Sequence, residues 1–236
     1  MNNGQAIQVL LKKHVDISRR DKPMFFKVGP GDYAEHDQFL GISVPIVRKI
    51  AQQFVHISLE EIQYLFASKN NEERLLALFI IVFQYRKAID VVKYDLYCFY
   101  MRNLKQINNW NLVDASAHEI VGAYLFHYAS HKDILVTLAK SDSLWERRIA
   151  IIATWYFIRK LDFSWTFLIA EILLTDKHDL IHKAVGWMLR EVGKKDEAQL
   201  RIFLNKHASK MPRTMLRYAI EKFSQQERVL YMQAGR

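Results

Sequence analysis

The sequence predicts an all-α chain, a solenoid of stacked helical pairs, and three observations predict it. First, helix-breaking residues are scarce, with 4 prolines and 8 glycines in 236 residues. Both are costly inside helices. Second, helix-start signals recur along the chain with apolar residues three and four apart behind them. No stretch sustains apolar/polar alternation between hairpin turns, so almost no strand is expected. Third, a basic residue opens an apolar helix at Arg74, Arg148, Lys183 and Arg217, separated by 74 residues (two steps of 37), then 35, then 34. Each step accommodates two short helices and their turns.

The elements follow in order. An N-terminal helical piece leads to an ordered loop over Pro23 to Gly41, carrying Gly29-Pro30-Gly31-Asp32. The loop lacks the Gly-Lys-Ser/Thr ending of a phosphate-binding loop. Ser43-Val44-Pro45 sets a cap and an early proline before the next helix. Ser58-Leu59-Glu60-Glu61 is a capping box, and Asn70 with Glu73 and Ser224 with Glu227 repeat it. Behind Asn70, Leu75, Leu78, Phe79 and Val82 mark a buried helix face. Asn108 or Asn109 caps the helix that begins near Trp110. The expected organisation is one domain over 1–236, with N-terminal helices and loop over 1–43 and repeats over 44–236.

A net charge of +9 and a pI near 9.5 point to a polyanionic partner, nucleic acid before anionic membrane. Cys98 is the only cysteine, which excludes an internal disulfide and a thiolate metal site and fits a reducing, cytoplasmic location. The longest apolar run, Leu75 to Phe83, has nine residues and is too short to cross a bilayer. Leu10-Leu11 runs straight into Lys12-Lys13, unlike a secretion signal. The pairs His127/His131 and His178/His182 have helical spacing without a His-Glu-x-x-His pattern, so they read as surface histidines and no metal is expected. No motif supports a zinc or flavin enzyme, and no local signature supports a serine or cysteine nucleophile.

Three groups carry candidate chemistry. Trp110 and Asp114 share a helix face one turn apart. An acid in a first turn also complements the helix dipole, and the tryptophan also suits packing, so both readings stand here. Trp145 and Arg148 share the next face; Trp145 reads as core, and Arg148 as a cover for its edge or a bidentate phosphate clamp. Lys183, Trp187, Arg190 and Lys194 follow steps of four, three and four, making a cationic stripe with an aromatic set into it. Cations suit phosphates and a ring suits a sugar or base.

At these residues the chain resembles the AlkD-like family of helical-repeat DNA alkylation repair glycosylases. The likeness runs from Phe25-Phe26-Lys27 and Phe39-Leu40-Gly41-Ile42-Ser43-Val44-Pro45 to Trp110-Asn111-Leu112-Val113-Asp114. It continues through Trp145-Glu146-Arg147-Arg148-Ile149-Ala150 and Lys183-Ala184-Val185-Gly186-Trp187-Met188-Leu189-Arg190-Glu191. The resemblance implies a right-handed HEAT-like α-solenoid whose concave basic face holds duplex DNA. It implies that Trp110 and Trp187 flank the damaged nucleotide, with Asp114 and Arg148 completing the catalytic set. An aromatic near Phe25, or its neighbour Phe26, looks onto the same cleft. Lys27, Arg147, Lys183, Arg190 and Lys194 join Phe25 as expected DNA contacts.

Because Asp114 is retained, the resemblance favours an active enzyme that releases cationic N3- or N7-alkylated purines from duplex DNA. It needs no cofactor and no obligate protein partner, and it is expected to act as a monomer away from membranes. The alternative is a non-catalytic helical-repeat protein that binds damaged or branched DNA. A protein-binding solenoid with incidental charge is the third reading.

Overall fold

Every named element is a helix or helical turn in the computed structural model, which describes residues 3–21, 25–128 and 131–233. The one β feature among them is an isolated parallel bridge between Gln38 and Asn70. The chain divides into two compact units, Met1–Ser116 and Ala117–Arg236.

The first unit holds α1 (Asn3–Lys12), α2 (Ile17–Asp21), α3 (Val44–Gln53), α4 (Leu59–Phe66), α5 (Asn71–Lys87) and α6 (Asp90–Arg102), and it closes within α7 (Trp110–Ala117). The centre of this unit is α5, against which α3 and α4 pack. Leu75, Leu78, Phe79 and Val82 are all buried, as their spacing predicts. Residues on every side of α5 are buried too, as expected of a helix enclosed by its neighbours. The capping box of α4 forms: Ser58 Oγ accepts from the Glu61 N–H at 3.3 Å, and Glu61 Oε2 accepts from the Ser58 N–H at 3.0 Å. Two expected caps differ. Ser43 stands at the N-cap of α3 without a side-chain bond, beside the early proline. Asn70 spends its amide on Glu73 Oε1 at 3.0 Å instead of capping α5.

Residues 25–41 form the predicted loop; Pro23, its expected start, lies outside the described residues. Glu72, buried at the start of α5, accepts from the N–H groups of Leu40, Gly41 and Ile42 at 3.0, 2.9 and 3.3 Å. That pins the C-terminal end of the loop. Gly41 is required here, with φ of +75° and the Asp16 carbonyl 2.3 Å from where a Cβ would sit.

The second unit begins with the end of α7 and one π turn, His118–Gly122, and continues through α8 (Ala123–His127), α9 (Ile134–Ala139), α10 (Leu144–Arg159), α11 (Ser164–Ile172), α12 (Asp179–Gly193), α13 (Glu197–His207), α14 (Arg213–Ala219) and α15 (Gln225–Gln233). Here the helical-pair repeat is plain. The helices α10, α12 and α14 pack side by side; α9 and α11 pack on α10, and α13 packs on α12. Two glycines permit close crossings. A Cβ on Gly122 would lie 2.1 Å from the Ala153 carbonyl of α10, and one on Gly186 would lie 2.4 Å from the Met215 carbonyl of α14. The Ser224 capping box forms at α15, with Glu227 N–H to Ser224 Oγ at 3.3 Å and Ser224 N–H to Glu227 Oε2 at 3.2 Å.

The repeat register differs by one residue from the expected one. In α5, α10 and α12 the fourth helical residue reaches back to the carbonyl six positions earlier. Arg74 Nη1 bonds Ser68 O at 2.7 Å, Arg147 Nη1 bonds Ser141 O at 2.9 Å, and His182 Nε2 meets Asp176 O at 2.5 Å. Arg74 therefore corresponds to Arg147 and His182, rather than to Arg148 and Lys183. No described helix is long and apolar enough to cross a membrane.

Candidate active site

In the first unit the site is built on the entry to α7. Asn109, fully buried just before the helix, accepts from the Trp110 N–H at 2.8 Å and donates to Asp37 Oδ2 at 2.7 Å. Asp37 also accepts from Asn71 Nδ2 at 3.0 Å and from Arg74 Nη2. Arg74 Nη2 reaches Asn108 Oδ1 at 3.2 Å, while Asn111 and Asn71 exchange amide bonds at 2.7 and 3.3 Å. A buried ion pair with amides on its remaining lone pairs thus joins the loop, the start of α5 and the start of α7. The bonds at Nη1 and Nη2 fix the guanidinium on three segments, while its buried Nε is left without a hydrogen-bond partner.

Trp110, half-buried, stacks on Phe26 at 5.2 Å and 21°, and Phe26 backs onto Phe39 at 4.5 Å. Of the two adjacent phenylalanines, Phe26 is the one whose ring stacks on Trp110. Phe25 is 76% exposed, and neighbouring Lys27 is exposed as well. Asp114, one turn beyond Trp110, is half-buried, neither sealed in the core nor open to water on all sides. Burial foremost, with the negative charge of Asp114 adding to it, pushes the nearby Tyr100 hydroxyl far above its ordinary range. Tyr100 is therefore a neutral phenol, bonded to Ser116 Oγ at 3.0 Å, and cannot serve as a base. A half-buried carboxylate one helical turn from an indole suits the stabilisation of a nearby cation.

In the second unit, α10 and α12 carry the remaining candidates. Arg148 is only 5% exposed, and its Nη1 donates to the Leu180 carbonyl at 2.5 Å. This guanidinium ties α10 to the first turn of α12. Arg147 is likewise engaged, with Asp176 at 2.7 Å and the carbonyls of Ser141 and Asp142 each at 2.9 Å.

The stripe on α12 is charge-balanced along its length. Lys183 pairs with Asp179 at 2.7 Å, Lys194 with Glu191 at 2.6 Å, and Arg190 with Glu221 in the turn after α14. Three cations thus meet three carboxylates along the expected cationic stripe. Lys183 and Lys194 remain substantially exposed, at 40% and 43% of their side chains, whereas Arg190 is at 18%. Exposed pairs of this kind are worth about 0–1 kcal/mol, so a phosphate competes readily for the two lysines. Trp187 is half-buried, its Nε1 donating to Glu191 Oε1 at 3.1 Å and its ring meeting Trp155 at 5.1 Å and 60°.

The histidine pairs have local partners. His178 Nδ1 accepts from the Leu180 N–H at 3.1 Å and caps α12, His182 meets Asp176 O, and His127 Nε2 lies 3.3 Å from the Tyr156 hydroxyl. Among the described residues no group of three or more histidine, cysteine, aspartate or glutamate side chains is placed to hold a metal ion. Sequence reasoning named Asn108 or Asn109 as the cap before Trp110 but missed Asp37, Asn71 and the network that joins them, because the ion pair links residues 37 apart in the chain. It also missed the ring and charge contacts of His118, Glu119, Trp155 and Arg159. No local motif marks them.

Comparison with known proteins follows the same line. A family model described as DNA alkylation repair enzyme matches residues 9–223. No curated protein sequence matches the chain. Among solved structures, an Enterococcus faecalis protein described as a predicted DNA alkylation repair enzyme is similar with a TM-score of 0.66 at 15% identity, covering 82% of this chain and 92% of its own. The structure of smu.31 from Streptococcus mutans UA159 is similar with a TM-score of 0.51 at 15% identity, covering 98% and 96%. At such identity the likeness shows a shared fold.

Proposed function

The chain belongs to the DNA alkylation repair enzyme family, and on that premise we propose that it is a DNA glycosylase, a hydrolase that releases cationic N3- or N7-alkylated purines from duplex DNA. The reading assigns the whole of 1–236 to that one task. The observation that carries it is the placement of Asp114, a half-buried carboxylate one turn beyond a tryptophan, in a helix whose entry is held by Asn109 and Asp37.

Alkylation at N3 or N7 leaves the purine positively charged. The base then departs with the electron pair of the glycosidic bond, becomes neutral, and needs no general acid. Positive charge grows on the deoxyribose as the bond breaks. A fixed carboxylate stabilises that charge, which is catalysis by preorganised electrostatics. Asp114 takes this role and also orients the water that attacks the sugar carbon.

Trp110 and Trp187 supply indole faces to the cationic nucleotide. Such contacts contribute about 0.5–1 kcal/mol when exposed and about 2 or more when desolvated. Phe26 stacks on Trp110 and backs its ring, and Trp110 keeps partial exposure to solvent. Lys27, Lys183 and Lys194, all solvent-accessible, make sequence-independent phosphate contacts. Arg147, Arg148 and Arg190 contribute by holding helix ends in place. A neutral lesion such as uracil lacks the built-in charge and is a poor substrate.

The test compares wild type with Asp114→Asn on N-methylated duplex DNA, following free 3-methyladenine and 7-methylguanine together with folding and DNA binding. The asparagine variant is expected to fold and bind but barely release base. Wild type that binds without releasing either base would make the chain a DNA-binding scaffold. Efficient uracil release would overturn the charge-based mechanism.

A further inference from the structure

One group in the second unit has no part in the chemistry above. His118 and Glu119 open the π turn, an irregularity that recurs at functional sites. His118 Nε2 lies 3.1 Å from Glu119 Oε1, and Arg159 Nη1 of α10 approaches the same oxygen at 3.5 Å. Both partners of Glu119, the His118 imidazole and the Arg159 guanidinium, also touch Trp155. The His118 ring is 4.5 Å from the indole at 45°, and the Arg159 guanidinium stands 5.7 Å over it. Trp155 in turn meets Trp187 at 5.1 Å and 60°.

The side chain of His118 is 9% exposed, yet its Nδ1 has no hydrogen-bond partner. A buried polar nitrogen left unpaired costs stability. A phenylalanine would fill the same space against Trp155 without that penalty. What the imidazole provides instead is the bond to Glu119. Glu119 thereby fixes both His118 and Arg159, and the two together clamp Trp155 behind Trp187. Trp187 has its own indole N–H bonded to Glu191, so two contacts define its plane.

We propose that Glu119 and His118, acting through Trp155, are positioning residues for Trp187, holding its indole in the one orientation that meets a cationic nucleotide. The part Trp187 plays with the nucleotide rests on the glycosylase reading. The coupling from Glu119 to Trp187 does not.

The test uses the full chain labelled with 5-fluorotryptophan, whose five tryptophans give five fluorine resonances, assigned by single Trp→Phe replacements. In Glu119→Gln and His118→Gln, the Trp155 and Trp187 lines are expected to shift or broaden while those of Trp110 and Trp165 stay in place. Base release should fall roughly tenfold in kcat with KM and DNA affinity little changed, the mark of lost orientation at retained binding. Trp155→Phe, which keeps an aromatic backing, should lie between wild type and these variants and covers the case in which a charge variant fails to fold. An unmoved Trp187 line in folded variants overturns the proposal, and so does a shift shared by all five lines. Absence of base release by wild type would defeat the glycosylase reading alone, because the fluorine spectra still decide the coupling.

Discussion

The ring of Phe26 lies against that of Trp110 at 5.2 Å and 21°, while the adjacent Phe25 is 76% exposed. Two neighbouring phenylalanines therefore have opposite duties. Phe26→Ala removes ring contacts to Trp110 and Phe39 and should cost about 2 kcal/mol, since each aromatic pair contributes about 0.5–1.5 kcal/mol beyond its burial. Phe25→Ala should lie within about 0.5 kcal/mol of wild type. Urea midpoints rank the two, and base release should fall further for Phe26→Ala. A larger loss of activity for Phe25→Ala would return the site aromatic to position 25.

Asp37 and Arg74 form an ion pair with side chains 3% and 5% exposed. Removing one member strands the other's charge inside the protein. Asp37→Asn alone, or Arg74→Met alone, should therefore destabilise by about 3–5 kcal/mol. Combining Asp37→Asn with Arg74→Met removes both charges, and its cost should be well below the sum of the single losses. Chemical denaturation of the four proteins completes the cycle. Additive losses would mean that the pair does not act as a unit.

What was legible in the sequence follows the range of each interaction. The capping boxes at Ser58 and Ser224 are complete within four residues, and both form. Asn70 presents the same local pattern, yet its side chain donates to Glu73 and makes no cap bond to the α5 backbone. The adjacent arginines 147 and 148 hid the repeat register, because either continues the pattern begun by Arg74. Only the shared bond to the carbonyl six residues back selects Arg147. Part of the neutralisation of the α12 stripe was readable, since Asp179 lies four residues before Lys183 and Glu191 three before Lys194. Glu221 was not, because only the packing of α14 on α12 brings it to Arg190. Aromatic identity was legible at Trp110 and Trp187, and Glu191 lies one turn from Trp187, but the rings they meet, Phe26 and Trp155, come from distant segments.

Gly186 precedes Trp187 at the crossing of α12 and α14. A Cβ there would meet the Met215 carbonyl at 2.4 Å and the Tyr218 Cβ at 2.5 Å, both fixed parts of α14. Alanine gains about 1 kcal/mol of helix propensity over glycine, but overpacking a close helix contact costs about 1–3 kcal/mol. Because a backbone oxygen is the obstacle, the clash should win. Gly186→Ala is expected to lower the thermal midpoint and displace Trp187, measurable as a change in base-release kcat. A stabilised variant with full activity would mean the crossing is loose.

His178 caps α12 by accepting from the Leu180 N–H at Nδ1, 3.1 Å away. Burial foremost holds its pKa below the ordinary 6.5, with Arg147 and His182 adding to the shift and Asp176 and Asp179 opposing it. A base depressed in the folded state contributes stability above its unfolded pKa and loses it as pH falls through the folded value. Protonation puts a hydrogen on Nδ1 and replaces the cap with two opposed donors; an N-cap is worth about 1 kcal/mol. Urea midpoints taken at pH of about 7.5 and about 5.5 should therefore fall for wild type. His178→Asn keeps an acceptor at the cap and cannot titrate, so its midpoint should fall less over the same interval. Equal slopes in the two proteins would show that the imidazole does not link α12 to pH.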